Sequence, residues 1–122
     1  FLSMLPSIYH SEYIKSNQEL IIKRAEAMNQ IDPSYFDGQM YLYETFTTDL
    51  DITDKLQEIT CPVLVVCGEE DILKPRKFSD IIATKIKHAE YALVPNCAHV
   101  TIFEKPDMLN SMLIGFLIKH ST

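Results

Sequence analysis

One stretch constrains the fold more than any other: CPVLVVCGEEDILKP, Cys61 to Pro75. Val63 to Cys67 is a short run of apolar and β-branched residues without polar alternation, the pattern of a strand covered on both faces in a parallel sheet. A parallel partner requires a crossover, and the residues that follow supply one. PRKFSDIIATKI reads as a helix, with Phe78, Ile81, Ile82 and Ile86 on one side and Lys77, Asp80, Lys85 and Lys87 mostly opposite. AEYALVP is a second strand. NCAHVTIFEKP is then a loop, and DMLNSMLIGFLIKH closes as an amphipathic helix starting near Pro106. Residues 60–122 are therefore expected to form an α/β unit of β-α-β-α order with parallel strands.

Residues 1–59 differ in texture. Ile14, Leu20, Ile21, Ala25 and Met28 recur at helical spacing, with Lys15, Glu19, Lys23, Arg24 and Glu26 elsewhere on the turn, which predicts a helix over about 11–29. A second helix restarts in DPSYFDGQMYLYETF, with Asp32 as N-cap and Pro33 at the first helical position. TTDLDITDKLQEI gives a short third helix that Thr60, Cys61 and Pro62 end. Tyr9, Tyr13, Tyr35, Phe36, Tyr41, Tyr43 and Phe46 make this half aromatic, either to pack its helices or to line a pocket.

In open parallel sheets, ligands and catalytic groups gather beyond the carboxyl ends of the strands. Asp71 lies just past the first strand and His99 just past the second, 28 positions apart, the length of one crossover. The two side chains are thus expected at one edge of the sheet, where a carboxylate orients an imidazole and fixes its tautomer for general-base work. Taken singly, an aspartate there also suits a turn or helix cap, and a loop histidine need have no role. Glu69 and Glu70 read as solvated turn residues. His10, His88 and His120 lack partners at useful spacing and read as surface or loop residues.

Pro62, Val63 to Val66, Gly68, Asp71, Pro95, Ala98, His99, Glu104, Pro106 and a final helix ending Phe116-Leu117 together resemble the C-terminal part of the α/β-hydrolase fold. That group includes esterases, lactonases and carbon–carbon bond hydrolases. The resemblance covers 60–120 closely and 1–59 loosely, as the helical cap such enzymes insert between two sheet strands. It implies Asp71 as triad acid, His99 as triad base, a serine nucleophile and no cofactor. Ala98 stands where a glycine is common before the histidine. The nucleophile departs further, since the elbow G-x-S-x-G holds the serine in this fold. Gly38, Gly68 and Gly115 are the chain's only glycines, and none flanks a serine in that pattern. The expectation is a C-terminal half that supplies acid and base to a serine and oxyanion hole encoded upstream.

Composition limits the remaining functions. The chain has 122 residues, one domain's worth, with a formal net charge of −6 and its 11 Lys and Arg scattered, which disfavours nucleic acid and anionic lipid. No apolar run approaches the roughly 20 residues of a membrane span, and FLSMLPSIYH opens without the basic stretch of a signal peptide. Cys61, Cys67 and Cys97 are odd in number and lack CxxC pairing, so they read as reduced core thiols of a cytoplasmic protein. Cys97 and His99 supply two ligands at most and no metal site.

The expected function is hydrolysis of a carboxylic ester, lactone or related carbonyl by the intact protein. A non-catalytic interaction fragment of the same architecture is the alternative. A flavodoxin-like domain is weaker, because no Gly-rich phosphate loop opens a helix. The first strand, lacking charge or proline, is expected to have an unpaired edge and to drive homo-oligomer formation.

Overall fold

The computed structural model describes residues 2–48 and 50–121. β1, Val63–Gly68, lies parallel to β2, Ala89–Val94, in a register that runs from Val63 opposite Ala89 to Gly68 opposite Val94. Lys77–Lys85 forms the crossover helix between them and Pro106–His120 the long closing helix, as the apolar periodicity predicts. The core of this half gathers under the strand ends. Ile86 is 2% exposed, Val94 and Cys97 are fully buried, and Ala98 is nearly so. The two strands therefore place Asp71 and His99 on adjacent loops at one end of the sheet.

The N-terminal half contains the helices α1 (Leu5–Ile8), α2 (Ser11–Ser16), α3 (Gln18–Met28) and α4 (Ser34–Thr48), with a 3-10 turn over Thr53–Glu58. The crossover is then α5, Thr101–Glu104 is α6 and the closing helix is α7. The helix expected over 11–29 is two helices. At Asn17 the side-chain amide donates to the Tyr13 carbonyl at 2.9 Å, and the backbone leaves helical geometry with φ −126° and ψ 30°. An asparagine that bonds its own preceding turn competes with helix continuation. Asp32 does cap, its Oδ1 accepting the Ser34 N–H at 2.8 Å.

Three further expectations are corrected. Thr101–Glu104 is a helical turn rather than loop. Cys61 is exposed, unlike Cys67 and Cys97, because it sits in the bend that precedes β1. The aromatics divide: Tyr9 is buried and stacks on Tyr13, at 5.2 Å between ring centroids and 8° between planes, whereas α4 buries none of its side chains and exposes Tyr35, Phe36, Tyr41, Tyr43 and Phe46. A second apolar cluster, Leu5, Tyr9 and Ile21, packs with Ile8, Tyr13, Ile14 and Val100. Val100 belongs to the histidine loop, so this cluster joins the N-terminal helices to the sheet end.

Candidate active site

The acid turn follows directly from the end of β1. Glu69 N–H donates to Val94 O, Glu70 N–H to Cys97 O, both at 3.0 Å, and Asp71 N–H to Gly68 O at 3.3 Å. These bonds stitch the turn to the end of β2 and to the loop beyond it. Gly68 permits the approach. A Cβ there would stand 2.1 Å from the Ala98 carbonyl oxygen and 2.5 Å from that of Cys97. Its need is therefore for space rather than for an unusual φ.

Asp71 fills two roles at once. Its Oδ1 accepts the N–H groups of Leu73 and Lys74 at 2.9 and 2.8 Å, the self-bonding that makes aspartate a turn residue. Its Oδ2 faces His99 Nδ1 at 2.9 Å, and the carboxylate is 7% exposed against 34% for the imidazole. With Nδ1–H donating to Asp71, the ring's Nε2 is the nitrogen left to accept a proton. One carboxylate thus both closes the turn and faces the imidazole.

The histidine loop begins at Asn96, the one non-glycine residue with positive φ among those described, at 50°. Asparagine tolerates that conformation better than most side chains. Three successive amides then find partners. The Glu104 carboxylate accepts Ala98 N–H at 3.2 and 3.3 Å and Val100 N–H at 3.3 Å, while His99 N–H donates to Ile8 O at 3.0 Å. A glutamate reaching back to the N-cap amide makes the glutamate half of a capping box, the valine at the N-cap having no side-chain acceptor to return the bond. Cys97 is inert here. Burial pushes its thiol above the ordinary cysteine value, and Sγ lies 3.5 Å from Thr101 Oγ1.

Sequence reasoning missed two participants. His10, expected at the surface, is 9% exposed; its Nε2 lies 3.1 Å from Glu70 Oε2 and its backbone N–H donates to Glu104 Oε2 at 2.8 Å. Glu70 is correspondingly paired rather than simply solvated. Glu104 was visible only as part of a familial pattern. A valine at the N-cap and a spacing of four residues rather than three leave no capping-box signature to mark it. His88 and His120 do lie near the surface, bonded to Cys61 O and Glu90 Oε1, each at 2.7 Å. A concavity of about 660 Å³ lined by Leu2, Ile22, Met28 and Phe36 among others includes neither Asp71 nor His99.

No family model matches the chain. Among curated proteins, the proline iminopeptidase of Thermoplasma volcanium is 33% identical over 72 residues, covering 59% of this chain and 24% of that protein. The pimeloyl-[acyl-carrier protein] methyl ester esterase of Nitrosospira multiformis is 29% identical over 66 residues, covering 54% and 25%. Among solved structures, the α/β hydrolase MGS-M2 from a Medee basin deep-sea metagenome superposes with a TM-score of 0.83 at 25% identity, covering 92% of this chain and 41% of that one. The chain spans less than half the length of the curated relatives it matches. In sequence and in fold alike, the proteins it resembles are α/β hydrolases, and the chain has part of their fold.

Proposed function

We propose that the whole protein is a serine-type α/β-hydrolase acting on a carboxylic ester, lactone or related carbonyl, with Asp71 as triad acid and His99 as general base. The observation that carries this reading is the 2.9 Å contact between a largely buried carboxylate and Nδ1 of a half-buried imidazole, at the strand ends of an α/β-hydrolase fold. The relative named as a methyl ester esterase supports the ester class. Residues 1–59 fit a helical lid over the site.

In the cycle, the serine is supplied by the whole protein outside these residues. Nε2 of His99 takes the Oγ proton as the serine attacks the carbonyl carbon. Asp71 holds the ring with Nδ1–H toward it and stabilises the imidazolium that forms. As the tetrahedral intermediate collapses, the same proton passes from Nε2 to the leaving oxygen. Water then repeats the sequence on the acyl-enzyme. Asp71 can hold this orientation because Leu73 and Lys74 N–H fix its other oxygen.

The test is hydrolysis of p-nitrophenyl acetate. In the whole protein, His99→Ala and Asp71→Asn are each expected to lower kcat by about 10³-fold or more, because members of a triad act as one unit. The 122 residues alone are expected to give only the background of a free imidazole. Full activity in His99→Ala would refute the assignment.

A further inference from the structure

His10 is a buried titratable side chain that the acid and base chemistry leaves unused. Its Nδ1 accepts the Glu12 N–H at 3.3 Å and so caps α2. An accepting Nδ1 puts the ring proton on Nε2, which faces Glu70 Oε2 at 3.1 Å. Glu70 directly precedes Asp71. On its other side, the His10 amide donates to Glu104, whose carboxylate also holds the amides of Ala98 and Val100 on either side of His99. Two residues earlier, Ile8 O accepts the amide of His99 itself. The segment 8–10 thus bonds the base loop through backbone and Glu104, and the acid turn through the His10 ring.

We propose that His10 is a positioning residue for the Asp71–His99 pair, tying the acid turn to the base loop through Glu70 and Glu104. This rests on the reading of Asp71 and His99 as acid and base. The two partners ride on separate loops, and the net contribution of a single hydrogen bond, even to a charged group, is small. A bond of that size does not by itself fix the relative placement of two loops, so a third element bonded to both restricts their motion. The carboxylates bonded to the His10 ring and amide are those of Glu70 and Glu104, from the acid turn and the end of α6, and Glu12 lies on the same element, α2. The Glu12 contribution goes through its amide, leaving Glu70 as the ring's acidic partner.

The experiment reads the His99 ring by nitrogen NMR in the 122-residue chain, its signals assigned with His99→Ala. In the unaltered chain the ring is expected as the Nδ1–H tautomer. His10→Asn keeps a cap acceptor near the Nδ1 position but cannot reach Glu70. It is expected to move the His99 nitrogens toward a mixed tautomer, while His10→Gln, whose amide N–H reaches further, restores part of the original signal. Glu70→Ala, a change at a half-exposed surface residue, is expected to give the same shift even if His10→Asn fails to fold. The double variant His10→Asn with Glu70→Ala is expected to add nothing beyond either alone. A lowered melting temperature with unmoved His99 nitrogens, or additive shifts in the double variant, overturns the proposal. In the whole protein, His10→Asn is expected to cost about tenfold in kcat with KM unmoved. The His99→Ala control separates the two readings: if activity survives it, the hydrolase assignment fails while the NMR result still decides the role of His10.

Discussion

Gly68 shows how little space separates the acid turn from the histidine loop. The atoms a Cβ would strike are backbone carbonyls of Cys97 and Ala98, which cannot rotate away as a side-chain end would. Gly68→Ala must push the two loops apart, breaking the Glu70 N–H to Cys97 O bond and lengthening the approach of Asp71 to His99. Overpacking of this kind costs about 1–3 kcal/mol or more. The measurement is a urea titration, with a lower midpoint expected at unchanged slope. A midpoint equal to that of the unaltered chain would show that the loops separate freely. Asp71 and His99 were legible because strand ends and one crossover length place them without any long-range knowledge. His10 was not, since its amide partner lies 94 residues away and no local spacing signals it. Glu70 looked solvated for the same reason.

The helices and strands were legible in proportion to how local their causes are. β1 follows from an unbroken apolar run, β2 from a short apolar run that Glu90 alone interrupts, and α5 and α7 from periodicity ended by Ile86 and Ser121. The break at Asn17 depends on a side-chain rotamer, and α6 depends on Glu104 folding back, neither of which periodicity registers. The joint between β2 and α7 makes an electrostatic prediction. Glu90 Oε1 receives His120 Nε2 at 2.7 Å and Lys119 Nζ at 3.0 Å. Hydrogen bonds from His120 first, and Lys119 next, hold the Glu90 carboxyl below the ordinary glutamate value. The folded chain therefore favours the carboxylate more than the unfolded chain does. That stabilisation is complete above the ordinary glutamate value and disappears as the pH falls through it and then through the lower folded value. The last turn of α7 is expected to fray in that acid window, and less steeply in high salt because the groups are accessible to solvent. Amide exchange at Lys119 and His120 reads it. Glu90→Gln is expected to abolish the acid-dependent part; identical acid profiles in both chains would rule out Glu90 as the cause.

Taken as a whole, the 122 residues leave much apolar surface in water. β1 pairs with β2 alone among the described residues, so one edge of β1 presents unpaired N–H and C=O groups along a run with no charge and no proline. Ile114, Leu117 and Ile118 on α7 are 57%, 61% and 71% exposed. We propose that the isolated chain associates, with two copies of β1 pairing antiparallel across a twofold axis. A twofold perpendicular to the sheet reverses strand direction and makes the contact self-complementary. Such an edge templates pairing because each backbone bond replaces one to water while flanking side chains leave solvent together. The strand also carries none of the devices that blunt edges, neither lysine nor bulge. Light scattering at micromolar concentration is expected to give the mass of a dimer or larger. Leu64→Lys, which puts a charge on the strand at a half-buried position, is expected to shift the mass toward the monomer while the far-UV circular dichroism stays unchanged. A monomer at every concentration would remove the proposal. Association unmoved by Leu64→Lys would instead assign the contact to the exposed faces of α4 and α7, where hydrophobic burial without strand pairing sets no fixed stoichiometry.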